Sequence, residues 1–246
     1  GDTGEVIVGA AGLAGLFFVI SGAIIWWRTR RTFAFRLWPR RLTRSAIVRQ
    51  HRDLGIMVRQ AEDEIAVANM AIGAAHTGCR AMCVTSGGGF ALMTEAIGAA
   101  SMMEIPVVFI NVQRAGPSTG VPTKTEQGDL WQALGASQGD FERLIVAPRN
   151  ALDAYNTIPE VFNLCDQFQC PGIVITDLLI SEGTFAVDPD DIDLHPEIDR
   201  GELITDGNPN GDYLRYKYTD SGVSPRAIPG TEGYVHVVAT DEHDQD

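Results

Sequence analysis

The sequence predicts an α/β fold: a parallel sheet with helices on both faces. Three observations point to it. From residue 54 onward, short apolar runs alternate with stretches of helical spacing, the order expected of βαβ units. The run 106–112 is apolar at nearly every position, as in a strand covered on both faces. Polar or glycine-rich segments follow the predicted strands directly, at 60–64, 85–90 and 113–126. In open parallel sheets such segments meet at the carboxyl edge, where ligands bind.

The elements follow in order. Residues 55–60 read as a short strand. Residues 62–78, rich in Ala, Met and Ile at helical spacing, read as a helix. A strand is expected over 80–85, a turn over Ser86–Gly89 and a helix over 90–103. After the strand 106–112 comes a long loop, 113–126, then a short helix over 129–134 and a strand over 142–147. A helix over 150–168, with Pro159 as a kink point, leads to the last strand, 171–177. Residues 188–246 carry 15 Asp/Glu against four Lys/Arg and read as an extended acidic connector with little core. Tyr213, Tyr216 and Tyr218 are its candidate pins. The domain division expected is therefore 1–53, 54–187 and 188–246.

Charge divides the chain. Residues 1–60 hold ten Arg against Asp2, Glu5 and Asp53, while the remainder holds nine Lys/Arg against 29 Asp/Glu. An acidic body excludes nucleic-acid binding, which needs basic surface for phosphates. Cys79, Cys83, Cys165 and Cys170, spaced C-x3-C and C-x4-C, match no common zinc or iron–sulfur run. They read as buried reduced thiols of a cytoplasmic protein.

The first segment is apolar from Val6 to Trp27 except for Ser21, and Arg28, Arg30 and Arg31 follow at once. Taken alone this is a transmembrane helix with an interfacial Trp pair and a positive flank. Three readings stand for residues 1–53: a shifted coding segment, a membrane anchor, or a remnant of another soluble domain. A membrane is not an expected partner for the rest of the chain.

Three constellations carry chemistry. The first is Gln60-Ala-Glu62-Asp63-Glu64. Acids in a helix's first turn are favoured by the helix dipole alone. Glu64, however, opens an almost wholly apolar helix, where a carboxylate sits half-desolvated and suited to proton transfer. The second is Thr85-Ser86-Gly87-Gly88-Gly89-Phe90, whose glycines allow backbone to approach a ligand. A phosphate-binding P-loop is disfavoured, because no Gly-Lys-Ser/Thr follows. The third runs from Gln113 to Asp129. Arg114 ends a buried strand, so its guanidinium needs an anion: a protein carboxylate or a substrate carboxylate held by two hydrogen bonds. Thr123 and Glu126 have capping-box spacing, the structural alternative for both.

These blocks resemble those of 2-oxoacid:ferredoxin oxidoreductase alpha subunits, in their thiamine-diphosphate pyrimidine-binding domain. The resemblance lies in Val58-Arg-Gln-Ala-Glu-Asp-Glu-Ile-Ala66, in Thr85-Ser-Gly through Gly89-Phe-Ala-Leu-Met-Thr-Glu-Ala96, and above all in Val112-Gln-Arg-Ala-Gly-Pro-Ser-Thr-Gly-Val-Pro-Thr-Lys-Thr-Glu-Gln127. Gly139-Asp-Phe and Gly222-Val-Ser-Pro-Arg-Ala-Ile-Pro-Gly230 extend it.

The resemblance implies a catalytic glutamate that hydrogen-bonds the aminopyrimidine ring. Its family spacing to the Gly-Ala at the helix end selects Glu64 over Glu62. It implies a substrate-carboxylate arginine at Arg114, a substrate-contacting threonine at Thr123, and cofactor contacts at Thr85, Ser86, Gly87 and Phe90. It further implies oxidative decarboxylation of a 2-oxoacid, 2-oxoglutarate or pyruvate, to an acyl-CoA. Electrons would pass to ferredoxin, and a beta subunit would supply Mg2+ and a [4Fe-4S] cluster. Two features depart from the family pattern. The Tyr-Pro-Ile-Thr-Pro-Ser loop expected before the first block is missing, and Gly88 stands where proline is usual. The second alpha-subunit domain, toward which the connector 188–246 would lead, is missing too, so a fragment of the subunit is expected. The rival reading is a degenerate, membrane-anchored module that binds without catalysing.

Overall fold

The computed structural model describes residues 5–8, 51, 55–207, 213–239 and 241. Six strands form one parallel sheet: β1 (Glu5–Val8), β2 (Met57–Gln60), β3 (Ala81–Ser86), β4 (Val108–Gln113), β5 (Leu144–Val146) and β6 (Gly172–Asp177), in the spatial order β2-β1-β3-β4-β6-β5. The helices are α1 (Glu64–His76), α2 (Gly87–Met102), α3 (Leu130–Leu134), α4 (Ala151–Phe168) and α5 (Leu178–Glu182). A parallel pair, β7 (Leu203–Ile204) and β8 (Arg226–Ala227), stands apart.

Strand order decides which helix covers which face. The steps β2 to β3, β3 to β4 and β4 to β5 all run one way along the sheet, so right-handed crossovers put α1, α2 and α3 on one face. The step β5 to β6 runs back and puts α4 on the other. The two cores match. Val67, Ala71, Phe90, Met93 and Ala133 pack with Cys83, Phe109 and Ile173 on the first face. Ala154, Ile158, Val161 and Cys165 pack with Val84, Ile110 and Val174 on the second. Each fully buried side chain of the size of Phe109 contributes roughly 2 kcal/mol.

Local signals set the ends of the helices. Asp63 caps α1, its carboxylate accepting from the Ala66 N–H at 2.7 Å. The dipole-and-cap explanation thus accounts for Asp63 and leaves Glu64 inside the first turn. Asn150 caps α4 by accepting from the Asp153 N–H at 2.9 Å, and α4 continues through Pro159 to Gln169 in the left-handed region (φ 51°). α1 and α2 are not wholly buried: Ile65, Met70 and Leu92 are exposed.

Four differences from the sequence reading stand out. Glu5–Val8 is a strand between β2 and β3. Residues 6–8 therefore belong to the sheet and not to a membrane span, and the division at residue 53 separates a strand from its own sheet. Residues 9–50 lie outside the described residues, and with them the rest of the apolar run and most of the Arg-rich segment. Second, the glycine run 87–89 is the first turn of α2 and not a preceding loop. Third, α5 follows β6 directly, with the Asp177 carboxylate accepting from the Ile180 N–H at 3.0 Å.

Fourth, the acidic connector has buried anchors. Asp166, 4% exposed, is faced by Arg80 and Arg200, each with Nε at 2.9 Å, and by Arg226 at 3.7 Å. Arg215 is buried and reaches the Glu104 carboxylate at 2.7 Å. Tyr216 is buried, Tyr213 is half-buried with its hydroxyl donating to the Pro225 carbonyl, and Tyr218 is exposed. Gly78, Glu104 and Gln169, which these residues and Ser224 contact, stand just before β3, β4 and β6. The connector thus buttresses the amino edge of the sheet, opposite the segments that follow the strands.

Candidate functional site

The carboxyl edge gathers the three constellations, as their places in the topology predict. In α2's first turn Gly89 faces the first constellation, and Gly88 and Gly87 face the two ends of the third. A Cβ on Gly89 would overlap Thr85 Oγ1 and come 2.9 Å from Glu64 Oε1. One on Gly88 would stand 3.7 Å from Arg114 Nη2, and one on Gly87 would meet Asp129 Oδ2 at 2.8 Å. Between this turn and the loop after β4 lies a cavity of about 470 Å³. Gly87, Gly88, Gly89, Arg114–Thr119, Asp129 and Gln132 line it.

Arg114 follows the last residue of β4 and is half-buried. Its Nε is buried without a hydrogen-bond partner, and no carboxylate pairs with it among the described residues. Of the two anions the sequence allows, the protein carboxylate is therefore not seen. The loop that Arg114 begins folds back on itself. The Ala115 N–H donates to the Lys124 carbonyl at 3.2 Å, and the Val121 N–H to the Ala115 carbonyl at 3.0 Å. Glu126 forms no capping box with Thr123. Its carboxylate accepts from the Gly116 N–H at 3.2 Å and ties the loop's two ends. Ser118 holds a left-handed conformation (φ 55°), which costs a non-glycine residue energy that the folded loop must offset.

The remaining predicted residues divide. Glu64 is half-buried at the mouth of α1, with Gly89 against it. Thr85 is 1% exposed, and its hydroxyl has no partner among the described residues. Ser86 is buried at the start of α2 and makes no side-chain cap. Gly87 lines the cavity. Phe90 and Thr123 do not. Phe90 is fully buried in the core beneath α2, and Thr123 is exposed on the outer part of the loop.

Sequence reasoning passed over Asn111 and gave Asp129, the last residue of the third constellation, no role. Asp129 lines the cavity. Asn111 Nδ2 donates to its carboxylate at 3.0 Å, and its backbone N–H donates to Gln113 Oε1 at 2.9 Å. The available signal was an Asn and a Gln at alternate positions of an otherwise apolar strand, Val108-Phe-Ile-Asn-Val-Gln113. Alternation puts both at the carboxyl end of a buried strand, where a polar group needs a partner.

Cys83, Cys165 and Cys170 are buried, Cys79 half-buried, and none is in a disulfide. Burial pushes the Cys83 thiol far up and the Cys170 thiol up to about 11, so both stay protonated and inert. Among the described residues no group of three or more His, Cys, Asp or Glu is placed to hold a metal, and no helix is long and apolar enough to cross a membrane.

Residues 43–246 match the family model described as "Pyruvate flavodoxin/ferredoxin oxidoreductase, thiamine diP-bdg". The chain belongs to this family. A second model, the PepSY-associated TM region, matches residues 1–59. The alpha subunit of 2-oxoacid:ferredoxin oxidoreductase 1 from Sulfurisphaera tokodaii is 38% identical over 192 residues, 78% of this chain and 30% of that protein. The 2-oxoglutarate synthase subunit KorA from Methanothermobacter thermautotrophicus is 34% identical over 195 residues, 79% of this chain and 50% of that protein. Among solved structures, the 2-oxoglutarate:ferredoxin oxidoreductase from Magnetococcus marinus, with 2-oxoglutarate, coenzyme A and succinyl-CoA bound, is 29% identical. It superposes with a TM-score of 0.74 over 98% of this chain and 37% of that one. The parallel sheet is thus that family's thiamine-diphosphate-binding fold. The chain spans between about a third and a half of the length of these relatives.

Proposed function

We propose that this chain is the pyrimidine-binding part of the alpha subunit of a thiamine-diphosphate-dependent 2-oxoacid:ferredoxin oxidoreductase. The reaction is oxidative decarboxylation of a 2-oxoacid, 2-oxoglutarate or pyruvate, whose acyl group is taken up by coenzyme A to give acyl-CoA and CO2, with the two released electrons passed to ferredoxin. One observation carries the reading: Arg114, half-buried at the wall of a cavity, has no protein carboxylate among the described residues. A planar guanidinium in that setting suits a substrate carboxylate.

The residues present fit the pyrimidine end of the cofactor. Glu64 and the orphaned Thr85 hydroxyl stand together behind Gly89, and Ser86 and Gly87 begin the turn in front of them. Thiamine diphosphate, when bound, supplies the carbon nucleophile and electron sink that loss of CO2 requires. Glu64 holds and moves a proton at its carboxyl, as a general acid–base group half out of water does. Arg114 orients the substrate carboxylate, Thr123 touches the substrate from the outer loop, and Phe90 fixes the turn from beneath. A beta subunit supplies Mg2+ at the diphosphate and a [4Fe-4S] cluster. The exposed Ile65, Leu92, Leu130 and Trp131, each next in sequence to a residue of the site, favour such a partner. The domain runs over residues 54–187 with β1 added, and 188–246 is its connector. Buried, protonated thiols and the acidic body favour a cytoplasmic enzyme.

The test is deuterium exchange at thiamine C2 in a reconstituted alpha–beta complex. Glu64→Gln keeps the shape and should nearly abolish exchange. Unchanged exchange would move the role to Glu62 or end the proposal, and would favour the module that binds without catalysing.

A second reading concerns residues 1–59 alone. Their match to a membrane-associated family favours an anchor in the segment after β1. Fractionation decides it: an anchored chain needs detergent to leave the membrane pellet, and a chain released by salt has none.

A further inference from the structure

Two buried oxygens on adjacent strands lack hydrogen-bond partners: Thr85 Oγ1 on β3 and Asn111 Oδ1 on β4. Thr85 and Asn111 stand opposite each other in the β3–β4 register, at 1% and 0% exposure. Both interrupt apolar strands, and both lie between Glu64 on one side and Asp129 on the other. Buried polar atoms are nearly always paired, so these two are set to act on one another.

Proton counting gives the pairing a direction. The Asp129 carboxylate only accepts, so Asn111 must turn its NH2 toward it, as the 3.0 Å bond records. The Asn111 carbonyl then faces the other way and must accept. The side chain opposite it is Thr85, whose hydroxyl has one proton to give. Rotation of the Thr85 side chain closes the step in that direction. With its proton committed to Asn111, the Thr85 oxygen offers only lone pairs to Glu64. Gly89 keeps this meeting open, because any side chain there would overlap Thr85 and press on Glu64.

We propose that Asn111 and Asp129 are positioning residues: they orient the Thr85 hydroxyl so that it accepts a hydrogen bond from Glu64 in its acid form. The effect on catalysis rests on the reading of Glu64 as the proton-handling group. The hydrogen bonds themselves do not. Such a chain polarises along its length, so the far carboxylate is felt at the near one.

The test is a substitution cycle on the 246-residue chain, labelled with 15N in asparagine side chains. Glu64→Gln should displace the Asn111 amide resonance when Thr85 is present and leave it in place in a Thr85→Val background. Thr85→Ser, which keeps the hydroxyl, should restore the displacement, and it replaces wild type as the reference if the valine variant does not fold. In the reconstituted complex, Asp129→Asn should slow C2 exchange roughly tenfold, and should add nothing once Thr85 is Val. Equal displacement in both backgrounds would mean coupling through space and would overturn the proposal, as would no displacement in either. If Glu64→Gln leaves C2 exchange unchanged, the cofactor reading fails by itself, and the resonance cycle still decides the hydrogen bonds.

Discussion

The Gln113 side chain accepts the Asp129 backbone N–H at 2.9 Å, so the last residue of β4 fastens the far end of the loop that Arg114 begins. The loop's two ends are held by β4 itself, and the residues between can approach a ligand without fraying. Arg114→Lys should therefore raise the KM for the 2-oxoacid and leave the fold almost unchanged. A point charge replaces a planar fork, at a loss on the order of 1–3 kcal/mol in binding. Steady-state kinetics and melting curves on the same complex check it. A sharp fall in Tm with KM unmoved would make Arg114 structural.

Isolated, the chain should bind thiamine diphosphate weakly. Its cavity has one cation, Arg114, facing one anion, Asp129, so little on this side holds a diphosphate. Calorimetry showing tight, magnesium-dependent binding by this chain alone would contradict the division of the site between two subunits.

Asp166→Asn should destabilise the fold by about 3 kcal/mol, the usual cost of removing one partner from buried charges. Arg80, Arg200 and Arg226 would then face one another without their shared carboxylate. Urea unfolding measures it. A loss within 0.5 kcal/mol, roughly that of an ordinary surface change, would show that the arginines find other partners.

His76, at the end of α1, has its ring against that of His236 at a centroid distance of 6.4 Å. Burial lowers its pKa below the ordinary 6.5, helped by His236, Arg226 and Arg215. The unfolded chain then binds the proton more readily than the folded one. Stability should be full above the unfolded value and decline as pH falls through 6.5 toward the lower folded value. His76→Gln should flatten that decline. Tm measured across this range for both proteins checks it, and identical slopes would remove His76 as the cause.

Much of this architecture is legible in the sequence. The alternation of apolar runs with helical spacing placed β2 to β6 and α1 to α4 within a few residues, because each buries a face whose period is local. Glu64 and Arg114 were legible because a charge beside an apolar element demands a reason. β1 was not: Glu-Val-Ile-Val opens an apolar run that reads as helix, and only its two partner strands, far along the chain, make it a strand. The connector's anchors were hidden for the same reason. Arg215 meets Glu104, and Arg226 meets Asp166, across separations that no window of sequence spans. Asn111 and Asp129 were overlooked because an Asn inside a strand shows that a partner is needed without showing which residue, 18 positions on, supplies it.

The glycine turn that opens α2 also limits how far this protein can evolve toward stability. A helix that begins with three glycines gives up roughly 1 kcal/mol per position relative to alanine. Selection for a higher melting temperature would ordinarily replace them. At Gly89 that route is closed, since a methyl group would strike the Glu64–Thr85 pair, and at Gly87 it would push the Asp129 carboxylate out of its place. Gly88 alone has ordinary clearance, 3.7 Å to Arg114 and 3.8 Å to Ser118. A laboratory selection for thermostability should therefore accept alanine at 88 and reject it at 87 and 89. The stability forgone at those two positions measures what an open site costs this fold.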